Sequence, residues 1–228
     1  MNKYVIIVAG GQGNRMGTQI PKQFLLLNGK PVLMHTISRF FQYNADINIV
    51  LILPASQFDY WNKLCITYNF SIPHKITTGG TNRFQSVKNG LELIETGGLT
   101  AVHDGVRPLV SIETITRCFD CAAKNGSAIP VTMPVESIRK VSGNNSYSCL
   151  RDEFRLVQTP QIFDTSLLKR CYEQPYNESF TDDASVVEAM GNTIHLVEGN
   201  RENIKITSPL DLLLGEAIYS VESGKLTL

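Results

Sequence analysis

Apolar residues along this chain alternate between continuous runs and helical spacings. Residues 4–9 and 47–53 are runs rich in Val and Ile, which is typical of strands buried on both faces. Between them, residues 32–42 place apolar side chains on one side of a helix. This alternation predicts an α/β fold with a mainly parallel sheet and helices on both of its faces.

The same alternation continues to the end of the chain. Strands are predicted over residues 75–77, 99–103, 128–134 and 194–198. Helices are predicted over residues 58–68, 83–94, 111–125 and 166–172, from the acidic residues 182–183 through Met190, and over 208–219. Thr159 to Phe163 is predicted only to lead the chain back to the sheet, with no secondary structure assigned.

Residues 136–157 break the alternation. Ile138 to Val141, a turn at Gly143, and Tyr147 to Leu150 predict a β-hairpin that projects from the sheet. A hairpin with so little core of its own needs a surface to pack against. We therefore expect a dimerisation arm that leans on a second subunit, within a single domain over residues 1–228.

The first strand runs directly into a glycine-rich turn. Gly10, Gly11 and Gly13 let backbone N–H groups approach a ligand closely, and Arg15 and Lys22 follow them. Glycines alone would favour an ordinary glycine-rich connection over a ligand site. Two cations at this spacing favour a polyphosphate site.

Two familiar phosphate-binding motifs do not match this turn. A Walker loop requires Ser or Thr after its lysine, but Lys22 is followed by Gln23. A dinucleotide fingerprint requires a third glycine where this chain has Met16, and the next strand ends in Pro54 without an acid for a ribose. An NAD-dependent oxidoreductase is therefore disfavoured.

A second group of polar residues follows the strand at residues 99–103. Asp104 and Arg107 come at its carboxyl end, where open parallel sheets bind ligands. Asp104 suits Mg²⁺, which takes one or two carboxylates plus substrate phosphates, and Arg107 suits a phosphate. A purely structural Asp104–Arg107 pair is the alternative. Lys205 can reach the same ligand if it lies at a strand end.

Composition excludes several classes of protein. The 228 residues carry no formal net charge, so bulk electrostatics recruit neither nucleic acid nor a membrane surface. No apolar run approaches the length of a membrane span, and the first strand begins at once, so neither a span nor a signal peptide is expected. Five scattered cysteines indicate a cytoplasmic protein. Cys118 and Cys121 are expected to be buried thiols, with a redox or zinc role as the alternative.

Seven motifs occur in order: AGGQGNRM, PKQF, GGTNRFQSV, HDGVRP, TPQ, TDDAS and VEGNRENIKIT. Together they resemble the 2-C-methyl-D-erythritol 4-phosphate cytidylyltransferase family over nearly the whole chain. The resemblance implies a Rossmann-like nucleotidyltransferase domain, a homodimer and Mg²⁺ as cofactor. It also implies transfer of CMP from CTP to methylerythritol phosphate with release of pyrophosphate.

The resemblance also implies roles for individual residues. The catalytic residues would be Arg15, Lys22 and Lys205. The nucleotide-binding positions would be Ala9, Gly10, Gly11, Gly13, Gly80, Thr81, Ser86 and Asp104. Asp104 would also hold the metal. The acceptor-binding positions are Asp104, Arg107, Ser137, Arg151, Thr159, Thr181 and Asp182. Arg151 matches an arginine that the hairpin of the partner lends to the acceptor phosphate.

Some positions differ from the family pattern or have simpler explanations. Thr81 stands where the family usually has Asp, and Glu136-Ser137 where it usually has Asp-Thr. From the residues alone, Thr81 could be only a helix cap and Ser86 only a surface hydroxyl. Two rival functions are a ribitol-5-phosphate cytidylyltransferase and a non-catalytic nucleotide-binding regulatory subunit. The retained cations disfavour the second.

Overall fold

The structure is a computed structural model that describes residues 1–10, 20–222 and 224. Its strands are β1 (Lys3–Val8), β2 (Leu26–Leu27), β3 (Lys30–Pro31), β4 (Asn48–Leu53), β5 (Lys75–Thr78), β6 (Leu99–Asp104), β7 (Ser127–Thr132), β8 (Ile138–Ser142), β9 (Asn145–Cys149), β10 (Leu156–Val157), β11 (Gln161–Asp164) and β12 (Leu196–Glu198). Its α-helices are α1 (Val32–Tyr43), α2 (Phe58–Thr67), α3 (Arg83–Glu92), α4 (Ile112–Asn125), α5 (Thr165–Cys171), α6 (Asp183–Glu188) and α7 (Pro209–Glu222). No helix in these ranges is long and apolar enough to span a membrane.

Eight strands form the central sheet, in the order β10-β7-β11-β6-β1-β4-β5, with β12 also paired to β7. Strand β1 pairs in parallel with β4 and β6, as do β4 with β5 and β12 with β7. Strand β11 instead runs antiparallel between β6 and β7, and β10 runs antiparallel to β7. The predicted mainly parallel sheet is confirmed, although β10 and β11 were not predicted.

The sheet is buried on both faces because successive side chains of a strand point to opposite sides. Val5 and Ile7 of β1 join the core beneath α1, α2 and α4. Tyr4 and Ile6 join the core beneath α3, α5 and α6. The continuous apolar run that predicted β1 therefore reflects two separate cores, as expected for a strand in the middle of such a fold.

The predicted hairpin is confirmed as a separate two-stranded sheet. Strand β8 pairs antiparallel with β9, from Ile138 opposite Cys149 to Ser142 opposite Asn145. Val141 is 71% exposed and Tyr147 is 57% exposed. We call residues 136–157 the arm. Its apolar side chains face solvent in the single chain, and its role in dimerisation stays a prediction.

The cysteines are all free thiols. Cys118 and Cys121 lie one turn apart on α4, and burial raises the pKa of the Cys118 thiol to about 12. A thiol that stays protonated at neutral pH is a poor nucleophile and a poor metal ligand. Cys118 therefore acts as a small apolar side chain of the core.

Candidate active site

A cavity of about 280 Å³ lies at the carboxyl ends of β1 and β6. It brings together eight of the predicted site residues, namely Ala9, Gly10, Lys22, Gly80, Thr81, Ser86, Asp104 and Lys205. These residues come from four distant parts of the sequence. The cavity occupies the position at which open parallel sheets bind ligands. The predictions for Gly11, Gly13 and Arg15 lie outside the described residues.

Asp104 is the electrostatic centre of the cavity. Its Oδ2 atom lies 3.0 Å from Nε of Arg107 and 3.1 Å from Nζ of Lys205. Burial alone would raise the pKa of Asp104, but Lys205, Arg107 and Arg83 together hold it well below its ordinary value. Asp104 is thus a carboxylate at neutral pH. The structural Asp104–Arg107 pair exists. Asp104 lines the cavity, whereas Arg107 supports Asp104 and is not among the lining residues.

A directed chain of hydrogen bonds supports the end of β6. Nε2 of His103 must donate to the carbonyl oxygen of Arg107 at 3.1 Å, because a carbonyl only accepts. Nδ1 then accepts from the hydroxyl of Thr159 at 3.0 Å, and this hydroxyl accepts from the backbone N–H of Asp104 at 3.1 Å. Burial lowers the pKa of His103 to about 4, which keeps it neutral. Thr159 therefore fixes the position of the Asp104 backbone at the end of β6.

Lys205 reaches Asp104 from irregular backbone between β12 and α7, and not from a strand end as the prediction required. The neighbouring Ile206 donates its N–H to the carbonyl oxygen of Val106 at 2.9 Å. Asn203 accepts at its carbonyl oxygen from Nη1 of Arg107 at 2.7 Å. These bonds fix the segment against the loop after β6, which places the lysine.

A tight turn before α3 forms another wall. The hydroxyl of Ser86 accepts from the N–H of Gly80 at 3.0 Å and donates to the carbonyl oxygen of Asn82 at 2.8 Å. Ser86 is buried, and the helix cap is Asn82, so the simpler explanations of Thr81 as a cap and Ser86 as a surface hydroxyl were both wrong. A Cβ atom on Gly80 would lie 2.4 Å from Cβ of Gln85, so the turn requires glycine.

The family follows from two kinds of comparison. A sequence model described as IspD, 2-C-methyl-D-erythritol 4-phosphate cytidylyltransferase, matches residues 3–221. The chain belongs to this family. A 2-C-methyl-D-erythritol 4-phosphate cytidylyltransferase of Bacteroides thetaiotaomicron is 53% identical over 218 residues, which cover 96% of this chain and 100% of the relative. One of Porphyromonas gingivalis is 50% identical and covers 96% and 98%.

Solved structures of the cytidylyltransferase family have the same fold. The 4-diphosphocytidyl-2C-methyl-D-erythritol synthase of Anaerococcus prevotii superposes with a TM-score of 0.83 at 25% identity, covering 96% of each chain. The 2-C-methyl-D-erythritol 4-phosphate cytidylyltransferase of Thermus thermophilus gives 0.77 at 31% identity, covering 96% of this chain and 98% of the other. The resemblance inferred from the ordered motifs is confirmed.

Within this cytidylyltransferase fold, Lys22 enters the cavity from a short 3-10 helix, Lys22–Phe24. The next residue, Gln23, is buried and donates from Nε2 to the carbonyl oxygen of Ala9 at 3.0 Å and to Oε1 of Gln57 at 2.7 Å. Gln23 thus ties the lysine segment to the end of β1. The motif PKQF contained this residue, but only the fold shows what its amide contacts.

Of the seven predicted acceptor residues, only Asp104 is among the residues that line the cavity. Asp182 caps α6, as the acidic pair predicted, and its Oδ2 accepts from Nε2 of Gln161 at 2.8 Å. Thr181 is exposed beside it. Ser137 and Arg151 are exposed on the arm and do not line the cavity. Nη1 of Arg151 donates to the carbonyl oxygen of Val135 at 2.7 Å.

Proposed function

We propose that this chain transfers CMP from CTP to 2-C-methyl-D-erythritol 4-phosphate, giving 4-diphosphocytidyl-2-C-methyl-D-erythritol and pyrophosphate. Membership of the family supports the reaction. The observation that carries it is the meeting of Lys22, Asp104 and Lys205 in one cavity with the turn before α3. Cations around a fixed carboxylate are what a phosphoryl-transfer site requires.

The reaction is an in-line attack by the acceptor phosphate on the α-phosphorus of CTP. This nucleophile needs no general base, because the second pKa of a phosphate monoester is about 6 and the group is mostly dianionic at neutral pH. The barrier comes from bringing anions together and from charge on the leaving pyrophosphate. Lys22 and Lys205 lower it by fixed positive charge, and Arg15 is proposed to act with them.

The two substrates are assigned to opposite sides of Asp104. Ala9, Gly10 and the turn from Gly80 to Ser86 would hold the cytosine and ribose, since this wall offers backbone N–H groups at the start of α3. Arg107, Thr159, Thr181 and Asp182 would serve the acceptor. Ser137 is kept as a proposed contact of the acceptor through the arm.

Asp104 is the proposed Mg²⁺ ligand. The described residues contain no group of three His, Cys, Asp or Glu side chains that could hold a metal. A single ionised carboxylate in the cavity nevertheless fits Mg²⁺, which is commonly held by one or two carboxylates and substrate phosphates. When bound, the ion would neutralise charge on the phosphate oxygens of CTP.

The chain is further proposed to work as a homodimer. The arm exposes apolar side chains, among them Val141, Tyr147 and Leu150, that a second subunit would cover. Arg151 would then contact the acceptor phosphate in the partner's cavity. The cytoplasmic location expected from the scattered cysteines also stays a prediction.

Pyrophosphate release tests the reaction. The protein should release pyrophosphate with CTP and methylerythritol phosphate in the presence of Mg²⁺, and much less with ATP, GTP or UTP. A preference for ribitol 5-phosphate would reassign the acceptor. Binding of CTP without release with either polyol phosphate would leave a nucleotide-binding subunit instead.

A further inference from the structure

Arg83 and Asp183 join the first residues of two helices at the cavity. Arg83 opens α3 and lines the cavity, while Asp183 opens α6 and is fully buried. Nη1 and Nη2 of Arg83 donate to Oδ1 and Oδ2 of Asp183 at 2.9 and 2.5 Å. The hydroxyl of Tyr172 donates to the same Oδ1 at 2.6 Å. None of these three residues was among the predicted site residues.

The pair joins a fully buried carboxylate to an arginine whose side chain is 30% exposed, and stability alone does not explain it. Replacing such a pair with apolar residues of similar volume is often neutral or stabilising, because both charges lose their hydration. What a two-bond arginine–carboxylate contact provides is a fixed distance and a fixed angle between its two elements. The geometry of the pair is therefore the property to explain.

The Arg83–Asp183 ion pair connects the residues proposed to hold the nucleotide with those proposed to hold the acceptor. On one side, α3 follows the turn from Gly80 to Ser86. On the other side, α6 follows Thr181 and Asp182, with Asp182 as its cap. The two helix starts are 100 residues apart in sequence, and the ion pair is a direct contact between them.

We infer that Arg83 is a positioning residue that acts through Asp183 and sets the spacing between the nucleotide and the acceptor. This inference rests on the proposed cytidylyl transfer. An in-line reaction depends on the distance between the attacking oxygen and the α-phosphorus, and a displacement of about 1 Å can cost about 100-fold in rate. Arg83 keeps this distance fixed without contacting the reacting atoms.

The test variant is Arg83→Lys, which keeps a cation beside the buried carboxylate but cannot make two parallel bonds to it. At saturating CTP, kcat/KM for the acceptor should fall about 10- to 100-fold. The Kd of CTP, measured by titration calorimetry without acceptor, should change by no more than about threefold. A loss of folded protein would instead lower the fraction of chains that bind CTP in the same titration, so kcat is expressed per chain that binds CTP.

Tyr172→Phe is the matched control, because it removes one bond to Asp183 and leaves the ion pair intact. Its kcat/KM for the acceptor should stay within about threefold of the unmodified chain. If Arg83→Lys does not fold, Asp183→Asn replaces it, since it keeps the shape of the side chain and weakens the same contact, and the same pattern is expected.

Three results would overturn the inference: full efficiency in Arg83→Lys, an equal loss in Tyr172→Phe, or an equal weakening of CTP binding in Arg83→Lys. The last would make Arg83 a nucleotide ligand. Failure of the proposed function is a different result, because the unmodified chain would then release no pyrophosphate with CTP and methylerythritol phosphate.

Discussion

The cavity and the arm are constructed in opposite ways. In the cavity, polar side chains hold one another, since Oδ2 of Asp104 contacts both Arg107 and Lys205. In the arm, β8 and β9 pair with each other, and Val141 and Tyr147 face solvent. The cavity can therefore form within one chain. If the arm packs on a second subunit as proposed, its contribution to stability should depend on protein concentration.

The largest expected difference between the core beside the cavity and the arm is the effect of a substitution on the free energy of unfolding. Phe163 is fully buried on β11, so Phe163→Ala should lower the free energy of unfolding by about 3–5 kcal/mol. Tyr147→Ala on the arm should change it by no more than about 0.5 kcal/mol in dilute protein. Urea unfolding at several protein concentrations measures both. A large, concentration-independent cost of Tyr147→Ala would show that the arm packs on its own chain.

Activity gives the next largest effect. Lys22→Ala should lower kcat about 100- to 1,000-fold, because its charge is needed most as pyrophosphate leaves. Lys30→Ala is the matched control, since Lys30 lies on β3 and does not line the cavity. Steady-state kinetics with varied CTP distinguish the roles. A normal kcat with a raised KM would assign Lys22 to uniform binding of the nucleotide.

The sequence predicted the parts of the fold that have long or continuous apolar patterns. Strands β1 and β4 lie in the middle of the sheet and contain unbroken apolar runs. Strand β11 has only four residues and runs antiparallel between two longer strands, so neither its length nor its pattern distinguished it from a loop. Its position depends on contacts with β6 and β7 that are distant in sequence.

The residues of the site also fall into those that the sequence predicted and those that it did not. Lys22, Asp104 and Lys205 were found because phosphate chemistry needs these residue types and the family motifs contain them. The hydrogen-bonding roles of Gln23 and His103 were not predicted, since a buried glutamine or histidine has no distinctive spacing. Their roles appear only when the fold brings their hydrogen-bond partners close.

A mixed dimer tests whether the arm completes the neighbouring cavity. Homodimers of Arg151→Ala and of Lys22→Ala should each be nearly inactive. In a mixed dimer, one site combines both defects, and the other has its own Lys22 and an intact Arg151 from the partner. Roughly half of the unmodified activity per mixed dimer is expected from counting intact sites. If subunit exchange is shown and no activity returns, Arg151 serves its own chain.

The smallest expected effect is that of low pH on stability. It should act on the body of the molecule, meaning the described residues outside the arm, and not on the arm. The arm contains no histidine. In the body, Nε1 of Trp61 donates to Nε2 of His74 at 3.0 Å, and Nδ1 of His74 must donate to the carbonyl oxygen of Ile72 at 2.7 Å. Burial lowers the pKa of His74 from 6.5, and a protonated ring could no longer accept from Trp61.

The sign follows from proton counting. Between the lowered pKa of the folded state and 6.5, the unfolded chain binds more protons at His74, so stability falls as the pH falls through this window. Urea unfolding at about pH 7.5 and about pH 5.5 should show the loss, and His74→Gln should reduce it, because an amide oxygen still accepts from Trp61 and does not titrate. Only part of the loss should disappear, since burial also lowers the pKa values of His35 and His103. An identical pH dependence in His74→Gln would mean that protonation of His74 does not change the free energy of unfolding. A larger effect of acid on dimerisation than on unfolding would reverse the contrast between body and arm.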